Sequence, residues 1–323
     1  MKILVLALDG VFDLGLACML DALGTANELA ALQSPDAPPP FEFRLAGLRR
    51  QVRSAQGLRL PVQALRGDER PDWILLPALG AKMPQTLLPA LERPEVREAC
   101  TWLRERHEQG GARVAAACIG GFVLAESGLL DGHAATTTWW LAPLFRQRYP
   151  QIGLDESRLV LESGRFVTSG AAMGHLDLSL WLLRQTSPAL AALVARYLIV
   201  DERPSQAPYV IPDHLAHADP LIARFEQWAR ERLAQGFELQ AAAAALAVSP
   251  RTLQRRCEAV LGKGPLAFVQ DLRVQQAAHL LRSTRLDIEQ IAAQVGYADG
   301  VSLRALLRRK LGRGVRELRR TDR

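Results

Sequence analysis

Hydrophobic positions over the first 200 residues fall into two alternating rhythms. Lys2–Leu8 is a short, nearly unbroken apolar run, the pattern of a strand buried on both faces. Phe41–Ala46, Trp73–Leu76 and Arg113–Ala117 repeat it. Between these runs apolar residues recur at helical spacing. One such segment is Asp13–Leu32, which ends in the breaker cluster Ser34-Pro35-Asp36-Ala37-Pro38-Pro39-Pro40, and another is the charged amphipathic stretch Pro94–Gln109. Leu159–Thr168 predicts a hairpin turning at Ser163-Gly164-Arg165, followed by apolar helices over His175–Arg184 and Pro188–Ile199. Strand and helix in alternation predict a doubly wound α/β domain with a mostly parallel sheet.

The rhythm stops at Asp201–Pro220, which holds prolines 204, 208, 212 and 220 and no sustained period. Beyond it no segment reads as a strand, and the composition turns to Ala, Leu, Arg and Gln. The expected organisation is an α/β domain over residues 1–200, a linker over 201–220 and an all-helical domain over 221–323. That last region matches itself at an offset of 50: Ala242 on Ala292, Leu253 on Leu303, Leu261 on Leu311, Gly262 on Gly312 and Gly264 on Gly314. In the first copy Leu239–Ala247 leads, with Ser249 as N-cap and Pro250 opening the second helix. In the second copy Asp287–Val295 leads, Gly296-Tyr297-Ala298 turns, and Asp299 caps the next helix. Helix, short turn, helix is the helix-turn-helix pattern, and two copies joined by a helix over Pro265–Leu281 would present two reading helices to successive major-groove segments.

Composition narrows the function classes. The chain has 323 residues, 49% of them hydrophobic and 23% charged, enough for about two domains with real cores. No apolar run approaches the ~18 residues of a membrane span. The start, Met1-Lys2-Ile3-Leu4-Val5, carries no cleavage-site pattern, so neither export nor a membrane is expected. Cys18, Cys100, Cys118 and Cys257 lack paired spacing, which suits a reducing cytoplasm. Charge is divided unevenly: residues 1–212 carry 21 Lys and Arg against 22 Asp and Glu, whereas residues 213–323 carry 19 against 12. The basic excess of the whole chain lies in its helical third, which suits either a double-stranded DNA footprint or a solvated basic face. His214 and His217 have the i, i+3 spacing of a metal pair but no cysteine partners, so no metal or other cofactor is expected.

The region Leu221–Arg320 resembles the AraC-type DNA-binding domain. The resemblance is carried by Leu246-Ala247-Val248-Ser249-Pro250-Arg251-Thr252-Leu253-Gln254-Arg255, Gly262-Lys263-Gly264-Pro265, Arg273, Ala277, Leu280-Leu281, Ile288, Ile291-Ala292, Val295-Gly296-Tyr297, Asp299 and Ser302. It implies that Ser249, Arg251, Thr252, Gln254 and Arg255 form the DNA face of the first unit, arginine suiting guanine and glutamine adenine. Gly300, Val301, Ser302 and Arg304 would form that of the second, with Arg308, Arg309 and Lys310 acting on phosphates. The second unit departs from the family pattern at Leu303, Leu307, Ala305 and Val315, which implies weaker base reading there.

Residues 1 to about 200 resemble the class I glutamine-amidotransferase-like, flavodoxin-like fold of the PfpI type, and the whole chain resembles the GlxA family of transcriptional regulators. The matching stretches are Asp9-Gly10-Val11-Phe12-Asp13-Leu14, Ala26-Asn27, Ala117-Cys118-Ile119-Gly120-Gly121-Phe122, Leu124-Ala125, Gly128-Leu129-Leu130-Asp131-Gly132, Ala135-Thr136-Thr137, Trp139, Thr168-Ser169-Gly170, Asp177, Arg203 and Gln206. Cys118, between an apolar strand and a helix start, stands where a nucleophile elbow would place a thiol. The enzyme branches of that superfamily commonly follow this cysteine with histidine and carry an acid near the first helix; this chain has Ile119 and Gly15 or Leu16 there. Thr138 stands where the regulator branch often has histidine. Cys118 therefore reads as a vestigial nucleophile; His133 and His175 are the two histidines to consider near it, and each reads better as a loop or helix-start residue.

The resemblance implies a cytoplasmic transcription regulator, dimeric through the α/β domain, that binds promoter DNA and an amino-acid-like or nitrogenous effector, with RNA polymerase a further partner. A crevice at the sheet's carboxyl edge, lined by Asp9, Asp13, Cys118, Ile119, Thr137, Thr138 and Trp139, would hold the effector. Thr136–Thr138 equally suit the end of a strand, with Trp139 as core. The rival readings are a cysteine-dependent hydrolase or glyoxalase-like enzyme with an accessory DNA-binding tail, and an α/β domain that serves only to dimerise.

Overall fold

A computed structural model describes residues 1–66, 70–201, 203, 205–206, 219–311 and 314–320 of the chain. The chain divides into two compact units, Met1–Gln206 and the remainder. Of the expected linker, residues 202, 204 and 207–218, with His214 and His217, lie outside the described residues, as does Gly312 of the repeat.

The first unit is built on a seven-stranded sheet in the order β10-β11-β7-β6-β1-β2-β5. Its strands are β1 (Lys2–Leu6), β2 (Glu42–Gly47), β5 (Gln63–Ala64), β6 (Trp73–Leu76), β7 (Arg113–Ala117), β10 (Val160–Ser163) and β11 (Phe166–Ser169). Only β10–β11 pairs antiparallel, through the hairpin expected at Gly164; every other neighbour is parallel. The apolar runs lack alternation because both faces are covered. Leu4, Leu6, Ile74, Leu76, Val114 and Ala116 enter one core, whereas Ile3, Val5, Trp73, Leu75, Ala115 and Ala117 enter the other. Helices α2 (Pro84–Leu91), α3 (Pro94–Gly110), α4 (Gly120–Glu126) and α5 (Ala142–Arg148) serve the first face. Helices α1 (Asp13–Gln33), α6 (Gly174–Thr186) and α7 (Pro188–Tyr197) serve the second.

The small antiparallel pair β3 (Gln51–Arg53) and β4 (Arg59–Pro61), and the parallel pair β8 (Ala134–Ala135) and β9 (Gly153–Leu154), carry too few residues for a periodic signal. The order around β1 reverses direction, since the chain goes to β2 on one side and then to β6 on the other. The carboxyl ends of β1, β6 and β7 therefore converge at a topological switch point.

A buried histidine closes this edge. His175, at the start of α6, accepts the Ala78 N–H at Nε2 (3.0 Å) and donates Nδ1–H to the Ala172 carbonyl (2.7 Å). Both nitrogens are committed in the neutral form, and burial lowers the ring's pKa to about 4, the Ala172 bond partly opposing it. The ring occupies the space beside Gly15 of α1, where a Cβ would fall 2.4 Å from Nε2. An acidic side chain at position 15 is sterically excluded by this imidazole.

The second unit is entirely helical among its described residues. Its helices are α8 (Pro220–Arg230), α9 (Leu239–Ala245), α10 (Pro250–Leu261), α11 (Pro265–Ser283), α12 (Ile288–Gln294), α13 (Gly300–Leu311) and α14 (Val315–Arg320). Arg273 of α11 is buried and donates to the Leu233 and Gln235 carbonyls, with its guanidinium 5.5 Å from the Tyr297 ring. It thereby joins the segment after α8 to the turn after α12.

Two outcomes follow for the first unit. Gly15→Ala should lower stability by about 1–3 kcal/mol in urea melts, because the added methyl meets a ring hydrogen-bonded on both sides. Protons bind His175 more readily in the unfolded chain, so its contribution is complete above pH 6.5 and declines as pH falls toward 4. Over that window wild-type stability should fall by up to about 1.4 kcal/mol per pH unit more than that of His175→Gln. Equal slopes would show that the ring is not held neutral.

Candidate functional site

β7 ends at Ala117 and the chain turns sharply into α4. Cys118 takes a left-handed conformation (φ 54°), and its N–H donates to the Ser169 carbonyl at 2.7 Å, extending the β7–β11 pairing by one bond. The Gly121 N–H then closes on the Cys118 carbonyl (3.1 Å). The turn needs glycine at 120, where a Cβ would lie 2.4 Å from the Leu76 carbonyl oxygen and 2.9 Å from that of Pro77. This is the strand–turn–helix elbow expected from the sequence.

Its thiol, however, is enclosed. Burial pushes Cys118 up to about 12; the Ile119 N–H, the Thr138 hydroxyl beside it and the charge of Lys82 oppose this without reversing it. Ile119 is itself buried. Among the described residues, the expected bases are occupied elsewhere. His175 is committed as above. His133 packs edge-on against Phe166 and meets the Ser163 hydroxyl (3.2 Å). Phe166 pairs with Val114 near the start of β7, whereas Cys118 lies beyond that strand's end. Sequence separation alone does not reveal this placement of His133 at the opposite edge.

Asp9 and Asp13 both bind the β3–β4 hairpin. Asp9 Oδ1 accepts the Arg53 N–H (2.8 Å), while its own N–H is taken by Glu95 (3.1 and 3.2 Å to the two oxygens). Asp13 accepts the Ser54 hydroxyl and the Gln56 N–H (3.0 Å). Together they pin the β3–β4 hairpin over the start of α1. Glu95 lies in an amphipathic helix whose pattern marks it as a surface residue. It is nevertheless buried, and desolvation raises its pKa.

The Thr136–Thr138 segment is buried. The Thr136 N–H donates to Thr168 Oγ1 (2.8 Å), and its hydroxyl donates to the Arg158 carbonyl (2.9 Å). Thr137 and Thr138 are fully buried, as is Ser169 opposite Ala117. The hydroxyls of Thr137 and Ser169 have no partner among the described residues. Trp139 is nearly buried and meets Trp140 edge-on at 5.5 Å, and the Trp140 indole donates to the Lys82 carbonyl (3.0 Å). Lys82 also caps the Phe12 ring at 4.7 Å. Sequence reasoning did not bring Lys82, Phe12 and Trp140 together, because they come from three separate loops.

Two residues after α7 close the unit from behind. Arg203 pairs with Asp177, while the Gln206 amide donates to the Thr137 carbonyl (2.8 Å) in space left by Gly170.

The second unit presents two helix-turn-helix elements. In the first, Ser249 accepts the Thr252 N–H (3.0 Å) and caps α10. Leu253, Cys257 and Leu261 face inward. Arg251 and Arg255, one turn apart, are exposed and carry no ion pair among the described residues. Arg256 turns back to Asp219, the N-cap of α8. Gln254 is half-buried, with its amide held by Glu258 along the helix, so it does not stand free as expected.

In the second element Asp299 accepts the Ser302 N–H (2.7 Å) and hydroxyl (3.0 Å), while Leu303, Leu306 and Leu307 face inward. Gly300 does not belong to the outer face: it is buried, and its N–H donates to Glu289 (2.7 Å). Lys310 is likewise engaged, by Asp271 of α11 (2.8 Å), which also binds Lys263 (3.1 Å). Val301, Ser302, Arg304, Ala305, Arg308 and Arg309 are exposed. α10 and α13 differ by 50 in number at both ends, but the left-handed residue precedes the N-cap by two positions in the first turn (Ala247, Ser249) and by three in the second (Gly296, Asp299).

Among the described residues, no helix is long and apolar enough to cross a membrane, and no group of three His, Cys, Asp or Glu could hold a metal.

The enclosure of Cys118 predicts slow chemistry. A shift from 9 to about 12 leaves roughly a thousandfold less thiolate at neutral pH. In the folded protein at pH 7.5, iodoacetamide should therefore modify Cys118 at least about a hundredfold more slowly than in urea, as read by peptide mass spectrometry. Equal rates would show an open, reactive site.

The DJ-1/PfpI family matches residues 1–185, and a helix-turn-helix domain matches residues 242–321. Over 297 residues the chain is 25% identical to the HTH-type transcriptional regulator GbdR of Pseudomonas aeruginosa, covering 90% of this chain and 77% of that protein. It is 28% identical over 206 residues to the HTH-type transcriptional regulator GlxA of Rhizobium meliloti, 58% of this chain and 59% of that one. In fold, it is similar to the crystal structure of an AraC family transcriptional regulator from Pseudomonas putida (TM-score 0.49, 20% identity, 61% of this chain and 98% of that one). With the α/β sheet, the elbow at Cys118 and the paired helix-turn-helix elements in place, the chain belongs to the DJ-1/PfpI family, in the branch that carries a C-terminal AraC-type helix-turn-helix region.

Proposed function

We propose that this DNA-binding transcription regulator senses a small effector in the crevice beside Cys118 and acts as a cytoplasmic homodimer on promoter DNA, with RNA polymerase as a further partner. The observation that carries DNA reading is the Arg251/Arg255 pair: two exposed guanidinium groups, without an ion pair among the described residues, on the outer face of a capped helix whose inner face is fixed by Leu253, Cys257 and Leu261. Guanidinium groups so placed suit bidentate bonding to guanine in the major groove. The neighbouring Arg256, Arg230 and Arg273 are occupied within the unit, so the basic excess is sorted into structural and outward cations.

The effector reading is supported by the buried hydroxyls of Thr137 and Ser169, which have no partner among the described residues, since such groups normally find hydrogen bonds. An amino-acid-like or nitrogenous molecule, the class the family resemblance favours, would supply donors and acceptors to them. Thr137, Thr138, Ile119 and Trp139 remain the proposed lining together with Asp9, whereas both Asp13 oxygens are taken by the Ser54 hydroxyl and the Gln56 N–H. The enclosed thiol and the committed His175 favour binding over cysteine catalysis. Dimerisation through the α/β unit is supported by the exposed apolar residues Tyr197 and Ile199 at the end of α7, beside a groove of about 520 Å³ between α1 and β2 that Leu198 lines.

Full-length protein should enrich particular sequences from a random duplex pool, with an affinity that falls steeply as salt rises. Arg251→Ala or Arg255→Ala should each cost about 1–3 kcal/mol at one position of the enriched site and relax its base preference. Enrichment unchanged by both substitutions would remove these residues from base reading.

A further inference from the structure

The two reading helices are offset by 50 residues, so positions on one map directly onto the other. Arg251 and Arg255 of α10 map onto Val301 and Ala305 of α13. All four are exposed, and Val301 is 69% exposed although it is β-branched and apolar. At the place where the first helix presents two cations, the second presents an apolar pair one turn apart.

The polar groups around that pair are already occupied. Asp299 and Ser302 satisfy each other, the Gly300 N–H is bound by Glu289, and Lys310 is held by Asp271. What the first turns of α13 offer a base edge is therefore methyl surface, flanked by Arg304. In the major groove thymine alone among the four bases carries a methyl group, and small apolar side chains are its natural contacts. The N-terminal part of a recognition helix is the part that meets base edges.

We propose that α13 selects its DNA segment through apolar contact of Val301 and Ala305 with thymine 5-methyl groups, while α10 selects guanine through Arg251 and Arg255. The operator is then asymmetric for each chain: a guanine-containing segment and, about 10 base pairs away, a segment marked by thymine. This inference rests on the DNA-reading function proposed above and adds the chemistry of the second element. Burying one methyl group is worth about a fourfold change in affinity.

The test uses full-length protein and the duplex it enriches from a random pool. Arg251→Ala locates the segment read by α10, because preference is lost there. In the other segment, thymine is then replaced by deoxyuridine, which removes only the methyl. The wild type should bind the substituted duplex about fourfold more weakly per contacted thymine. Val301→Ala, a change at an exposed position, should bind the thymine duplex as weakly and discriminate less between thymine and deoxyuridine. Arg251→Ala should retain full discrimination. Equal wild-type affinity for the two duplexes would overturn the proposal. So would a deoxyuridine effect that persists undiminished in Val301→Ala, since it would then reflect duplex shape. If no sequence is enriched at all, the DNA-reading function itself fails, and that outcome is distinct from enrichment without methyl sensitivity.

Discussion

Burying a parallel sheet on both faces governs how the α/β unit can be used. Apart from Lys2 and Arg113 at the strand starts, the side chains of β1, β6 and β7 are spent on one of two cores, so the loops at the carboxyl edge remain for recognition. The same constraint forces Cys118 into a left-handed turn, since β7 must continue its pairing with β11 and at once feed α4 under the ends of Leu76 and Pro77. In this chain the His175 ring takes the space beside Gly15 at that edge, and Ile119 is buried next to the thiol. The elbow is preserved while its thiol is sealed.

The helical unit solves a different problem, that of holding many cations close together without losing its core. Arg273, Arg256, Arg230, Lys263 and Lys310 are each given a carbonyl or carboxylate. Such contacts fix geometry more than they add stability where they are solvent-exposed. Arg251 and Arg255 are left outward, and it is this separation of roles that turns a basic composition into a surface with direction.

Much of this was legible in the sequence. Trp73–Leu76 and Arg113–Ala117 are strands with the expected limits, and the caps Ser249 and Asp299 bond as their positions in the repeat imply, while Asp287, expected as the first helical residue, is the N-cap instead. Caps and strand runs are local, and local rules decide them. The site was less legible where partners are distant in sequence. The Asp13 carboxylate looks free until the β3–β4 hairpin is folded over it, and Glu95 looks solvent-facing until the Asp9 N–H is placed against it. Gly300 follows the same rule, since the carboxylate that covers it comes from Glu289, 11 residues earlier. The fold class followed from periodicity and the branch from motifs, whereas the commitments of individual carboxylates required tertiary structure.

Gln206 ends the α/β unit with its side-chain amide inserted beneath Gly170 and bonded to the Thr137 carbonyl. Gln206 is thus fastened behind Thr137 by a buried donor. Any displacement of Thr137 must either strand that amide, at about 1–3 kcal/mol, or carry Gln206 with it.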